Sequence, residues 1–324
     1  MPCDLPRNPP EDDLAPALGF PSWSSLREDV LRACRSQAGV QAFLPYLDGS
    51  GRKLKRAALD LFCQTSAVLP RQAQIRVLCQ GNRDDLILFL LQQLDQNAKG
   101  GREDPSGDLL FRAHHQLPCT HSTLQRRVRE VQRHVLPDEP VLIIGDDDMQ
   151  SIALARAGYT DITVVEIDGA IADTITRATE PLPGTVQVIR EDITRVDPAL
   201  ARPFRAALID PPCHVPGFLA FLNGVVRLNT KPSESLLFLN TNLLSYGREG
   251  HGRVAGALAQ HGFSACEVWL GFNAYPLPRL PRLGFNTLLH AFEPRSSLAL
   301  HSFFSDLVLV RQGVERQAAE QATL

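Results

Sequence analysis

The stretch "VLIIGDDDMQSIALARAGYTDITVVEID", Val141 to Asp168, decides how the chain is read. It opens as a buried β-strand, turns at Gly145 into three aspartates, passes through a short helical pattern and returns as a second strand. Strand, turn, helix and strand of this length make a βαβ unit with parallel strands. A nucleotide-binding turn at this place normally relies on glycines, so that backbone N–H groups can approach phosphate. Asp146, Asp147 and Asp148 would repel a phosphate, so the turn calls for a different ligand.

Downstream the pattern repeats. "VQVIR", "FRAALID" and "SLLFLNTN" are apolar runs of strand length, separated by "AIADTITRAT", "VPGFLAFLNGVVRL" and "GRVAGALAQHG" at helical periodicity. Near-continuous apolar strands joined by crossover helices imply a parallel sheet covered on both faces. "FSACEVWLGFN" and "FFSDLVLVRQ" supply a closing pair. The expected fold is α/β, a Rossmann-like, doubly wound, mostly parallel sheet over residues 138–312.

Upstream the composition changes. Residues 1–22 are proline-rich and poor in apolar anchors, as in a flexible tail, and 313–324 read as a second tail. Residues 23–98 carry helical faces such as "KLKRAALDLFCQ" and "RDDLILFLLQQLD", a small helical N-terminal domain for which a winged-helix arrangement is one alternative. Ser25 and Glu28 are spaced as a capping box at its start. Residues 99–137 form a linker and pocket-closing segment, ending in a helix capped by Thr120 or Ser122.

Composition excludes several classes. The 324 residues are 44% hydrophobic, with a net charge of −3, which gives no general attraction to nucleic acid or to an anionic membrane. The cluster Arg52, Lys53, Lys55 and Arg56 is read as a solvated helix face rather than a nucleic-acid contact. The longest apolar run, within "LILFLL", is six residues, far short of a membrane span. The opening residues lack the pattern of a signal peptide, so the cytoplasm is the expected location. The seven cysteines are scattered without a C-x-x-C pair, so they are expected to be reduced thiols, and no metal site is expected.

In open α/β sheets ligands bind outside the carboxyl ends of the strands. Four successive strand ends here carry acid: Asp146, Asp147 and Asp148, then Glu166 and Asp168, then Asp192, then Asp210. Glu166 lies 21 positions after Gly145, the spacing of a ribose-hydroxyl acceptor, and Asp192 is placed to meet an adenine amino group. Acids after strands also cap helices, and Asp147 or Asp148 suits that role as well. Helix capping does not explain acid at every strand end, because converging carboxylates repel unless a cation compensates them. A sulfonium nucleoside answers the pattern: S-adenosylmethionine, or its decarboxylated form, which has lost the carboxylate that these acids would repel. "LIDPPCH" then places Asp210 where it can hold an attacking amine nitrogen and take its proton.

With "GDDDMQSIALARAG", "VVEID", "LIDPP", "FNAY" and the Q-x3-T-x2-T-x3-R spacing of Gln116, Thr120, Thr123 and Arg127, the chain resembles the branched-chain polyamine synthases. These enzymes have a class I methyltransferase-like fold and use decarboxylated S-adenosylmethionine to add aminopropyl groups to an internal polyamine nitrogen. The resemblance implies that Gly145, Asp146, Asp147 and Asp148 shape the nucleoside pocket, the aspartates facing the aminopropyl ammonium. It further implies ribose contacts from Glu166, with Asp168 beside it, and adenine contacts from Asp192. Gln116 and Thr120 close the pocket, Arg127 anchors its own segment, and Asp210 with Pro211 holds the acceptor. Asn273 and Tyr275 contact that acceptor. Cys213 and His214 follow the Asp-Pro-Pro segment where the family usually has an acid, polar or aromatic residue; His214 is a candidate general base, and Cys213 lacks the surroundings of a nucleophile.

The expected activity is therefore aminopropyl transfer to a small-molecule amine, a polyamine or a similar compound. The alternative is transfer of methyl or 3-amino-3-carboxypropyl from S-adenosylmethionine to a specialised metabolite or peptide. That reading needs a cation for the methionyl carboxylate, and the nearest downstream of the turn is Arg156. A nucleic-acid-associated protein is the third reading, disfavoured by the charge. A homodimer is compatible with all three.

Overall fold

The computed structural model describes residues 89, 91–97, 117–231, 235–277, 282, 286 and 300–312. Gln116, both expected tails and most of the expected helical N-terminal domain lie outside these residues; 89 and 91–97 are helical.

Helix α1 (His121–His134) leads into strand β1 (Val141–Ile144), followed by α2 (Gln150–Arg156), β2 (Asp161–Val165), α3 (Gly169–Thr179) and β3 (Thr185–Ile189). Then come β4 (Ala206–Ile209), α4 (Val215–Leu228), β5 (Leu236–Thr241), α5 (Gly247–Gln260), β6 (Phe263–Pro276) and β7 (Ser302–Gln312). The seven strands form one sheet in the order β3-β2-β1-β4-β5-β7-β6. The β1–β2, β1–β4, β2–β3 and β4–β5 pairs are parallel, and β7 runs antiparallel to both β5 and β6. The order reverses between β1 and β4, which is where a doubly wound sheet opens its ligand crevice. The expected Rossmann-like, mostly parallel sheet is the observed one.

Alternation along the central strands divides their side chains between two cores. Leu142, Ile144, Ala207, Ile209, Leu237 and Leu239 join Phe218, Leu222 and Leu258 of α4 and α5 on one face. Val141, Ile143, Ala206, Leu208, Leu236 and Phe238 join Val131, Ile152, Leu154, Ile171 and Ile175 of α1, α2 and α3 on the other. This double covering is why these strands read as unbroken apolar runs. Burying each large aliphatic contributes about 1.5–3 kcal/mol, which makes these strands the stable floor of the site.

Helix α1 is capped by Thr120, whose Oγ1 accepts from the Thr123 N–H at 3.2 Å, so Thr120 rather than Ser122 begins it. The backbone N–H of Thr120 also donates to the Ala274 carbonyl at 2.8 Å, tying the start of α1 to β6. Helix α5 begins five residues before the "GRVAGALAQHG" pattern, at Gly247. One of the glycines that hide it in the sequence serves packing: a Cβ on Gly250 would stand 2.9 Å from Tyr246 Cβ and 3.1 Å from Val215. The helical residues 91–97 reach the sheet through amides. Gln93 Nε2 donates to the Phe304 carbonyl at 2.9 Å and its Oε1 accepts the Phe304 N–H at 2.6 Å, as a neighbouring strand would. No described helix is long and apolar enough to cross a membrane.

Candidate active site at the carboxyl ends of β1, β2 and β4

The three aspartates after β1 leave the turn in different directions. Gly145 has φ +71°, and an added Cβ would lie 3.2 Å from the Phe221 ring. Gly145→Ala is therefore expected to cost about 1–2 kcal/mol through the left-handed backbone alone, read as a lower urea midpoint. Asp146 folds back over the start of α2, accepting from the Gln150 N–H at 2.6 Å, the Ser151 N–H at 3.1 Å and the Ser151 hydroxyl. The capping role suited to Asp147 or Asp148 thus falls to Asp146, because Met149, in the left-handed conformation, brings the first helical N–H groups beneath it. Burial pushes the Asp146 carboxyl up to about 7 despite these donors.

Asp148 points the other way, towards α1. It accepts from the Cys119 N–H at 2.5 Å and forms a buried ion pair with Arg127. Asp147, between them, makes no hydrogen bond or ion pair with any described residue. Burial, together with the charges of Asp148, Asp210, Glu166 and Asp146, holds its carboxyl well above the usual range.

Glu166 bridges two turns. Its Oε2 accepts the Asp146 N–H and its Oε1 the Asp168 N–H, each at 2.7 Å. An ionised carboxylate has about four acceptor sites, so these two donors orient it without exhausting it. Asp168 accepts from the Ala170 and Ile171 N–H groups and caps α3. Asp192, after β3, accepts from the Thr194 N–H and hydroxyl, both at 2.8 Å.

Asp210, after β4, sits beside the β1 turn. Its Oδ2 accepts from Arg127 Nη2 at 2.8 Å and from the Tyr275 hydroxyl at 2.6 Å, while 22% of the side chain stays exposed. Burial raises its carboxyl to about 6, against the lowering influence of Arg127 and Tyr275. Pro211 is buried beneath it. The Cys213 thiol, hydrogen-bonded to the Ser245 side chain, is pushed up to about 12 by burial, so it is a neutral thiol and not a nucleophile. His214 caps α4, its Nδ1 accepting the Gly217 N–H at 3.0 Å, which commits that ring nitrogen to the helix.

Arg127 is the residue that sequence reasoning undervalued. It is 2% exposed and donates to Asp148, Asp210, Tyr275 and the Asn273 side chain. It thus anchors three elements rather than its own segment. Asn273 is fully buried and occupied by Arg127, Ser305 Oγ and the Asp306 carbonyl, so the structure places it behind the site and not on its surface. Tyr275 faces Asp210, and Thr120 is spent on the cap of α1 and on β6. The signal for Arg127 was its fixed spacing from Thr120 and Thr123, both of which the structure buries beside it. Asp306, fully buried on β7 and bonded to Gln92 and the Gly271 N–H, had no such signal.

Asp146, Asp147, Asp148, Glu166 and Asp210 converge, and Arg127 pairs with Asp148 and Asp210. Among the described residues no group of three His, Cys, Asp or Glu side chains is arranged to hold a metal ion.

Comparison with known proteins follows the same line. The family model of the branched-chain polyamine synthase A C-terminal domain matches residues 113–277. The branched-chain polyamine synthase C9 mutein from Thermus thermophilus, solved with N4-aminopropylspermidine and 5′-methylthioadenosine, is similar in fold at 17% identity and TM-score 0.51, covering 94% of this chain and 93% of that one. The branched-chain polyamine synthase from Thermus thermophilus itself matches at 18% identity and TM-score 0.48, over 68% of this chain and 63% of that one, less than two thirds of its length. A putative RNA methyltransferase from Pyrococcus horikoshii matches at 11% identity and TM-score 0.45, covering 69% of this chain and 98% of that one. No curated protein sequence matches. The family match spans half of the chain and contains all four carboxylate-bearing strand ends, and the chain belongs to the branched-chain polyamine synthase A family.

Proposed function

We propose that the protein transfers an aminopropyl group from decarboxylated S-adenosylmethionine to a polyamine or similar amine. One observation carries this reading: among the described residues Asp147 has no counter-ion, although four other carboxylates surround it and the arginine beside it is shared between Asp148 and Asp210. Such a cluster either holds protons or binds cations, and a cationic ligand relieves the repulsion while leaving the carboxylates ionised. A sulfonium nucleoside with an aminopropyl ammonium, and an acceptor carrying further ammonium groups, supply those cations. Family membership supports the same activity, and the Thermus relative was solved with N4-aminopropylspermidine and 5′-methylthioadenosine.

In this reading Glu166 accepts from the ribose hydroxyls, and Asp192 meets the adenine end. Asp147 binds the aminopropyl ammonium, while Asp146 and Asp148 shape the turn that presents it. Helix α1 closes the pocket through Arg127. The acceptor nitrogen attacks the carbon next to sulfur: a C–N bond forms, the C–S bond breaks, and its electron pair stays on sulfur as 5′-methylthioadenosine is released. The nitrogen's proton passes to Asp210. Positioning and exclusion of water supply most of the acceleration, since the sulfonium is already a good leaving group.

Intact S-adenosylmethionine fits less well. Its carboxylate would need a cation, and Arg127 is committed to two aspartates, while Arg156 is exposed at the far end of α2. The test is thermal unfolding with 5′-methylthioadenosine, decarboxylated S-adenosylmethionine and S-adenosylhomocysteine in parallel. Selective binding at a hundredfold excess over Kd stabilises by about 2.7 kcal/mol, a shift of roughly 5–10 °C. The first two ligands are expected to raise Tm and the third to leave it unchanged. A larger shift with S-adenosylhomocysteine sinks the aminopropyl reading, and mass analysis of products from an amine panel then names the acceptor.

A further inference from the structure

The two oxygens of Asp210 meet different surroundings. Oδ2 is held by Arg127 Nη2 at 2.8 Å and by the Tyr275 hydroxyl at 2.6 Å. Arg127 Nη2 also donates to that hydroxyl at 2.6 Å, which fills an acceptor position on the phenol and directs the phenol's own proton towards Asp210. Ser305 Oγ, 3.2 Å away, supports the phenol from β7. Oδ1 has no partner among the described residues, and 22% of the side chain is exposed.

We propose that Arg127 and Tyr275 are positioning residues that clamp Oδ2 of Asp210, so that Oδ1 alone receives the proton of the attacking amine. The proposal rests on the aminopropyl-transfer reading of the site. A free carboxylate can rotate and offer either oxygen; here two donors from α1 and β6 fix its plane against the end of β4. Both donors stay protonated. Tyr275 is held well above its ordinary range by burial, and the guanidinium of Arg127 does not titrate in the working range. The clamp therefore orients Asp210 without competing for the transferred proton. During transfer the N–H bond breaks, the proton joins Oδ1, and the neutral acid then passes it to solvent.

Other groups also act on Asp210. Asp148 and Asp147 on the β1 turn oppose its ionisation by charge, and Arg127 and Tyr275 favour it. Cys213 beside it, Cys119 before α1 and Tyr246 before α5 are all held protonated by burial, so none changes charge in the range where Asp210 titrates.

The experiment is the pH dependence of kcat/KM for the wild type and for Tyr275→Phe, which keeps the ring and removes one donor. The acidic limb is expected to rise by roughly one pH unit, as befits loss of a hydrogen bond to a charged acceptor, with rates converging at high pH. Tyr275→3-fluorotyrosine makes a stronger donor at the same place and is expected to move the limb the opposite way, which keeps the question answerable where Tyr275→Phe folds poorly. A limb that stays put in both variants, or a loss equal at every pH, overturns the clamp. If the wild type transfers no group to any amine, the functional reading fails instead. Titration of the 13C-labelled Asp210 carboxyl by NMR then still reports the clamp, as a higher pKa in Tyr275→Phe.

Discussion

Asp210→Asn is expected to lower kcat by about 10²–10⁴-fold, the range supplied by a positioned proton acceptor, while 5′-methylthioadenosine still stabilises the fold. The substitution is nearly isosteric, so the effect is chemical. Arg127 and Tyr275 both donate towards Oδ2, and the asparagine amide can satisfy them only by turning its oxygen to them. Its NH2 group then occupies the place of Oδ1 and presents a donor to the attacking nitrogen, where an acceptor is needed. The wild type should lose activity as pH falls through about 6, because protonation of Asp210 removes the base, and the variant should lack that limb. Steady-state kinetics across pH, with nucleoside binding measured separately, check both. A variant that keeps its kcat but no longer binds the nucleoside would assign Asp210 to binding and not to proton transfer.

What was legible in the sequence follows from physics at two ranges. Strands β1, β4 and β5 were readable because a sheet covered on both faces needs unbroken apolar runs, and "VLII", "AALI" and "LLFLNT" are such runs. The acidic character of the strand ends was equally plain. Which acid does what was not legible. Asp146, Asp147 and Asp148 are identical letters, yet around the left-handed Met149 the first caps α2 and the third pairs with Arg127 of α1. Asn273 and Tyr275 adjoin the site through β6, yet one turns behind Arg127 and the other forward to Asp210, as alternating strand residues would not obviously announce. The early start of α5 was hidden by glycines of poor helix propensity, of which Gly250 packs closely against Tyr246 and Val215.

Arg127→Met is expected to destabilise the protein by about 3–5 kcal/mol, the usual cost of removing one partner from a buried ion pair. That is a large share of the 5–15 kcal/mol that holds a typical domain together. Methionine fills the space of the aliphatic stem, so the loss is electrostatic: Asp148 is left buried with only the N–H and thiol of Cys119, and Asp210 with only Tyr275. The deficit should depend on pH in a definite direction. Asp210 already titrates near 6, above its unfolded value near 3.9, and losing the cation raises it further. Both proteins gain stability as pH falls from about 6 towards the unfolded value, because the folded state binds more protons there; only the variant also gains between its further raised value and 6, and there its deficit narrows. Urea unfolding at pH 8 and pH 5 should therefore show the larger deficit at pH 8 and a smaller one at pH 5. A deficit below about 1 kcal/mol at pH 8, the value for an exposed pair, would mean that Arg127 is not the cation holding the two acidic turns together. A deficit equal at both pH values would separate its packing from its charge, and would remove the electrostatic reason for one arginine to stand between two strand ends.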